Sequence, residues 1–239
     1  MTPNQAAPFT MFSGEHLSVM LVITALTVGL PFLIKKIDSE KITRTIAVSI
    51  GIFLLFIKVS EPFVRGDSLQ NWQNELPLHL CDLAAILTGI MLINRSYFFY
   101  ELTYFWGFGG ALQAMMTPSF ENGFPHFDFL YYFIGHGLII IGVIYATVLF
   151  KYRPVLKSIW RAFVAVVCYA ALVAPINWIL GTNYMYLFGK PKVQSLYDYL
   201  GPWPWYLLSL IPVALLFFFL YYSPFWIADL VRKRRQRAS

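Results

Sequence analysis

Residues Phe127–Phe150 read FDFLYYFIGHGLIIIGVIYATVLF, and the only charged side chain among them is Asp128, one position from the start. A helix needs roughly 20 mostly apolar residues to cross the hydrocarbon core of a bilayer. A membrane β-strand is about half that length and alternates polar with apolar positions. This run does neither, so it predicts a membrane-crossing α-helix.

Working outward, six more stretches of the same kind stand at His16–Ile34, Ile42–Phe63, Leu76–Ile93, Tyr97–Met116, Ile159–Leu180 and Pro204–Trp226. Turn chemistry separates them at Arg65–Gly66–Asp67, Asn94–Arg95, Pro118, Asn122–Gly123, Pro154 and Gly201–Pro202. Composition agrees: 58% of the 239 residues are hydrophobic and 13% charged, against about 45–50% and 25% in a soluble domain. The expected fold is all-α: one integral membrane domain, residues 1–239, forming a seven-transmembrane-helix bundle. Met1–Ser13 has no Lys or Arg, so the first run is read as a span ending at Lys35–Lys36 rather than as a cleaved signal.

Basic residues orient the bundle. Of the 18 Lys and Arg, 14 fall in alternate loops and the C-terminal tail, while the opposite loops hold Arg65, Lys190 and Lys192. The positive-inside rule then puts the N-terminus outside and the C-terminus in the cytoplasm. The Arg232–Arg237 run is read as a cytoplasmic stop touching anionic lipid, not as a nucleic-acid site. Cys81 and Cys168 both lie in spans, so no disulfide is expected. No metal or cofactor is expected either.

Polar groups inside hydrocarbon are costly and are therefore functional candidates. They are Lys58 and Glu61, then His79, Cys81 and Asp82, then Glu101 and Gln113, then His136 and Asn177. At about 1.5 Å per residue, Cys81 lies roughly 7–8 Å and His136 roughly 13 Å below the outer surface, with Lys58 about 8 Å and Gln113 about 5 Å from it. All but Glu101 converge on a polar cavity in the outer half of the bilayer. Pro77 suits the first turn of a helix. His79 and Asp82, three apart, share a face and can bond. His79 and Cys81 do not share one, so a base for Cys81 must come from another helix, and His136 is best placed. Lys58 and Glu61 form a structural ion pair on one helix. His16 and His126 sit at the membrane surface, and Cys168 is a small apolar residue.

Three segments resemble the YwaF family of bacterial integral membrane proteins: Phe12–Leu17 (FSGEHL), Leu76–Asp82 (LPLHLCD) and Gly181–Leu187 (GTNYMYL). The resemblance implies kinship with a eukaryotic multi-pass acyltransferase that makes ether phospholipids. Its nucleophile is a Cys in a motif similar to Leu80–Cys81–Asp82, with a His on a later helix that corresponds to His136. More distant relatives are membrane hydrolases of lipid esters that use Thr and His.

The expected function is a lipid acyltransferase, transacylase or esterase of a bacterial plasma membrane. Its partner would be a membrane phospholipid or lysophospholipid. Cys81 is the expected nucleophile and His136 the base. His79, Gln113 or Asn177 would stabilise the oxyanion, with Asp82, Lys58 and Glu61 completing the polar cavity. The alternative is a transporter or small-molecule-binding membrane protein with helices broken at Gly107–Gly110 and Ala174–Pro175. A retinal-type receptor is disfavoured, because Pro204–Trp226 has no Lys for a Schiff base.

Overall fold

The computed structural model describes residues 8–65, 71–118, 120–191 and 195–238. The turn expected at Gly66–Asp67 and the loop residue Lys192 lie outside them, as does most of the N-terminal segment. The helices are α1 (Gly14–Ile37), α2 (Glu40–Arg65), α3 (Leu80–Asn94), α4 (Tyr97–Trp106), α5 (Gln113–Met116), α6 (Phe127–Leu149), α7 (Leu156–Leu180) and α8 (Trp205–Ala238). No strand occurs among the described residues; Pro8 and Asn122 form an isolated bridge. Five helices, α1, α2, α6, α7 and α8, are long and apolar enough to cross a membrane. That makes the chain a multi-pass membrane protein by length and composition.

The ends of the helices follow from local chemistry. Ser13 caps α1, its hydroxyl accepting the His16 N–H at 3.4 Å. Asp38 ends α1 in the left-handed region at φ 51°, after Lys35 and Lys36 in the last turn. The helix expected over Leu76–Ile93 starts later, at Leu80. His79 is extended, with ψ 150°, and its N–H reaches Asp82 Oδ2 at 3.3 Å. Pro77 therefore precedes the helix rather than occupying its first turn. The broken helix expected at Gly107–Gly110 is real: α4 runs into a π-helical segment, Gly107–Leu112, before α5. The break expected at Pro175 is not, because α7 continues through it. At the other end of the chain, α8 extends past Trp226 and carries the basic run from Arg232 to Arg235 as helix.

The chain forms two compact units, residues 1–152 and 153–239. In the first, α2 and α3 cross where glycine meets glycine. A Cβ on Gly51 would lie 2.7 Å from the Gly89 carbonyl oxygen, and one on Gly89 would lie 2.9 Å from that of Gly51. Lipid tails are as apolar as Leu, so helices in a bilayer associate through such close backbone approach and through interhelical hydrogen bonds. The core of this unit includes Leu54, Leu92, Phe105, Phe133 and Tyr145. In the second unit, α7 ends at Gly181 with φ 67°, and the connection to α8 contains two short 3-10 turns.

Candidate functional site

Lys58 on α2 holds two carboxylates at once: Glu61 Oε2 at 2.7 Å and Asp82 Oδ1 at 2.8 Å. The first contact is the pair read from the sequence. The second ties α2 to the first turn of α3. The three side chains are 13–20% exposed. Asp82 thus serves Lys58 with one oxygen and the backbone of His79 with the other. The bond expected between His79 and Asp82 is made through the main chain.

Cys81 is the second residue of α3. Its depth is therefore not set by counting down a helix from Leu76. It is set by its neighbour: Sγ lies where a Cβ on Gly110, in the π segment, would be 3.3 Å away. Gly110 is six residues before the end of α5, about 9 Å along a helix.

His136 is the tenth residue of α6. Its Nδ1 stands 2.7 Å from the Tyr132 carbonyl oxygen. A carbonyl only accepts, so Nδ1 carries the proton. In the neutral ring Nε2 is then the acceptor. The Tyr132 ring stacks on the imidazole at 4.3 Å, and its hydroxyl donates to the Ala114 carbonyl at 2.8 Å. His136 is within electrostatic reach of Lys58, Asp82 and Glu61, and Cys81 of Asp82 and Lys58.

The register between α6 and the segment leading to α5 aligns these groups. Gly107 faces Ile139, Ile140 and Val143. Ala114 is bonded to Tyr132. The two contacts run antiparallel, so Gly110 lies along the stretch of α6 between Tyr132 and Val143, which includes His136. Cys81 Sγ sits against Gly110.

Other candidates go elsewhere. Gln113 on α5 is exposed. Glu101 is fully buried on α4. Asn177 belongs to the second unit and its amide is consumed there. Nδ2 donates to the Tyr184 carbonyl at 2.9 Å, and Oδ1 accepts from Thr182 Oγ1 at 2.9 Å and the Tyr184 N–H at 2.8 Å. It closes the loop after α7, and both its oxygen and one N–H are held in that loop. His16, expected at the surface, is 1% exposed. Its Nδ1 accepts the Phe12 N–H at 3.0 Å, so Nε2 is the nitrogen that donates to the Met115 carbonyl at 2.8 Å. Cys168 is exposed, in keeping with a plain apolar role. No metal-holding group of His, Cys, Asp and Glu occurs among the described residues.

The profile of the TMEM164 family matches residues 11–222. The chain belongs to the TMEM164 family. This overturns the YwaF assignment, since the match takes in all three segments on which that resemblance stood. Two of them carry general structural devices: Leu76–Asp82 is a helix N-cap, and Gly181–Leu187 is the loop that Asn177 closes. Such devices recur wherever a helix must begin or end, and they do not separate one multi-pass family from another. The chain is also similar to an uncharacterized protein of Treponema pallidum (strain Nichols), 26% identical over 220 residues, which covers 91% of this chain and 90% of that one. No solved structure matches the chain.

Proposed function

We propose that this TMEM164-family protein is a membrane-embedded acyltransferase, transacylase or esterase acting on lipid esters, with Cys81 as nucleophile and His136 as base. What supports the reading is that Cys81 Sγ packs against Gly110, in the segment that runs along the His136 stretch of α6, with the imidazole held as Nδ1–H by Tyr132. That bond points the basic Nε2 away from the backbone of α6, as an orienting group does in a nucleophile–base pair.

In the first half-reaction Nε2 takes the thiol proton. The sulfur attacks the ester carbonyl, a C–S bond forms, and the C–O bond breaks. The imidazolium returns its proton to the departing alcohol. In the second half Nε2 takes a proton from a lysolipid hydroxyl or from water, that oxygen attacks the thioester carbonyl, the C–S bond breaks, and the imidazolium returns its proton to the departing sulfur. The N–H groups of Leu80 and Cys81, in the first turn of α3, have no carbonyl of their own helix to bond and suit the oxyanion. Lys58, Glu61 and Asp82 fix the start of α3 and so the position of the sulfur.

The reading includes seven spans, with α3 and the α4–α5 run (residues 97–116) added to the five long helices. It puts the N-terminus outside and the C-terminus in the cytoplasm of a bacterial plasma membrane. A C-terminal reporter active only outside the cell would stay silent.

The chemical test offers purified protein a labelled diacyl phospholipid, with and without lysolipid, and traps the intermediate with hydroxylamine. Cys81→Ala and His136→Ala are each expected to abolish turnover, because members of one catalytic unit do not contribute additively. Cys168→Ala leaves turnover unchanged. Transfer that persists in Cys81→Ala refutes the mechanism. Absence of turnover on every lipid class in the wild type would favour the transport reading, to which the π segment in mid-helix also lends itself.

A further inference from the structure

A depression of about 570 Å³ lies between the start of α2 and the α3–α4 connection, lined by Glu40, Lys41, Arg44, Asn94 and Arg95. None of these residues takes part in the Cys81 site. Three cations face one carboxylate, and that carboxylate is already paired with Arg95. Among the described residues no ion pair engages Lys41 or Arg44. The depression therefore carries two cations beyond the Glu40–Arg95 pair, and no ion pair among the described residues neutralises them.

Arg95 is held in place from several sides. It caps α3 in the left-handed region at φ 56°, with its N–H on the Met91 carbonyl at 2.8 Å. Its own carbonyl accepts the Tyr152 hydroxyl. Its guanidinium lies 4.7 Å from the centre of the Phe150 ring, and Nε is shielded from solvent without an acceptor. A guanidinium fixed in this way loses little freedom on meeting an oxyanion, and its planar fork suits phosphate.

The surroundings say what kind of anion fits. Phe150, Tyr152, Tyr97 and Tyr100 form a ring cluster beside Arg95, with centroids 5.3–6.0 Å apart. Aromatic residues of this kind gather at the headgroup level of a bilayer. Exposed apolar side chains begin within a turn of the cations, at Ile42, Tyr97 and Phe98. Charge next to exposed apolar surface matches an amphiphile better than a soluble anion.

We infer that this depression binds the phosphate of an anionic phospholipid headgroup through Lys41, Arg44 and Arg95. A zwitterionic headgroup is disfavoured, because its ammonium would meet the same cations.

The test uses the full chain in phosphatidylcholine nanodiscs and measures binding of labelled phosphatidylglycerol. The double variant Lys41→Gln/Arg44→Gln removes two exposed charges that hold no fold contact. It is expected to bind about 30-fold more weakly, from the usual worth of two basic residues at a lipid surface. The pair Lys233→Gln/Arg234→Gln removes the same charge from the end of α8, where it meets anionic lipid only by diffuse attraction, and is expected to weaken binding far less than the first pair. Equal loss in both pairs means diffuse surface attraction and overturns the site, as does an unchanged first pair. Inorganic phosphate is added as a competitor. If it displaces the lipid completely at equal concentration, the site is one for free anion and the lipid assignment fails.

Discussion

Helices α6 and α7 are nearly matched in the sequence: 23 and 25 residues, with almost equal mean hydropathy. In the structure 56% of the apolar window of α6 is buried inside the protein, against 11% for α7. Apolarity makes both helices fit to enter a membrane, but it does not say which will be enclosed by other helices. Glycine and polar side chains make that difference. On α6, a Cβ at Gly137 would meet Ile23 at 3.0 Å, and one at Gly142 would meet Thr88 at 2.7 Å. Its hydroxyls reach other helices: Tyr131 pairs with Ser60 at 2.6 Å, and Tyr145 donates to the Thr43 carbonyl at 2.7 Å. On α7 the buried amide of Asn177 turns back on its own loop.

The comparison is broken most severely by Lys58→Met. It takes the Lys58 ammonium from the partly buried Asp82 and Glu61, a change that costs up to about 3–5 kcal/mol when a buried pair loses one partner. Denaturation in micelles should show that loss. The double change Lys58→Met/Asp82→Leu should recover much of it, and no recovery would show that the pair does not organise the α2–α3 contact. Gly142→Leu comes next. Overpacking against Thr88 and Leu92 should cost roughly 1–3 kcal/mol. Val164→Leu, on an exposed part of α7, should stay within about 0.5 kcal/mol. Equal melting temperatures for these two variants would erase the contrast between the helices.

Asn177→Ala sharpens it at lower cost. Losing the buried partner of Tyr184 should cost about 1–3 kcal/mol, and amide exchange should quicken over residues 181–187 while α6 stays protected. Among the changes that remove a contact, the smallest effect belongs to Arg153→Gln. Arg153 and Asp229 are 2.8 Å apart but each 42% exposed, so the pair is worth about 0.2–1 kcal/mol. A thermal shift that persists at high salt would mean that it is more than a surface contact.

The candidate site was legible in part. Cys81, Asp82, Lys58, Glu61 and His136 stood out because each is a polar group in an apolar run, and the structure gathers Lys58, Glu61 and Asp82 into one network. The depth argument for Cys81 failed, since it assumed a helix from Leu76. Asp82 claims the His79 N–H and starts the helix at Leu80. Gln113 and Asn177 were grouped with the site by depth alone. Depth fixes one coordinate of a side chain, and its direction around the helix axis fixes another. For His16, too, a level at the membrane surface does not say which neighbours cover the ring, and the structure buries it.

By itself the sequence determined the helical, membrane-crossing character of the chain. Runs of apolar residues about 20 long leave the backbone only internal hydrogen bonds as partners in lipid. It also determined the Lys58–Glu61 pair, a contact between positions three apart on one helix. Only the tertiary structure decided that Lys58 reaches Asp82 on another helix, that Gly51 meets Gly89, and that Gly110 stands beside Cys81. Those contacts depend on which helices adjoin and in what register. Side chains set both by packing and hydrogen bonding across distances in sequence that hydropathy does not span.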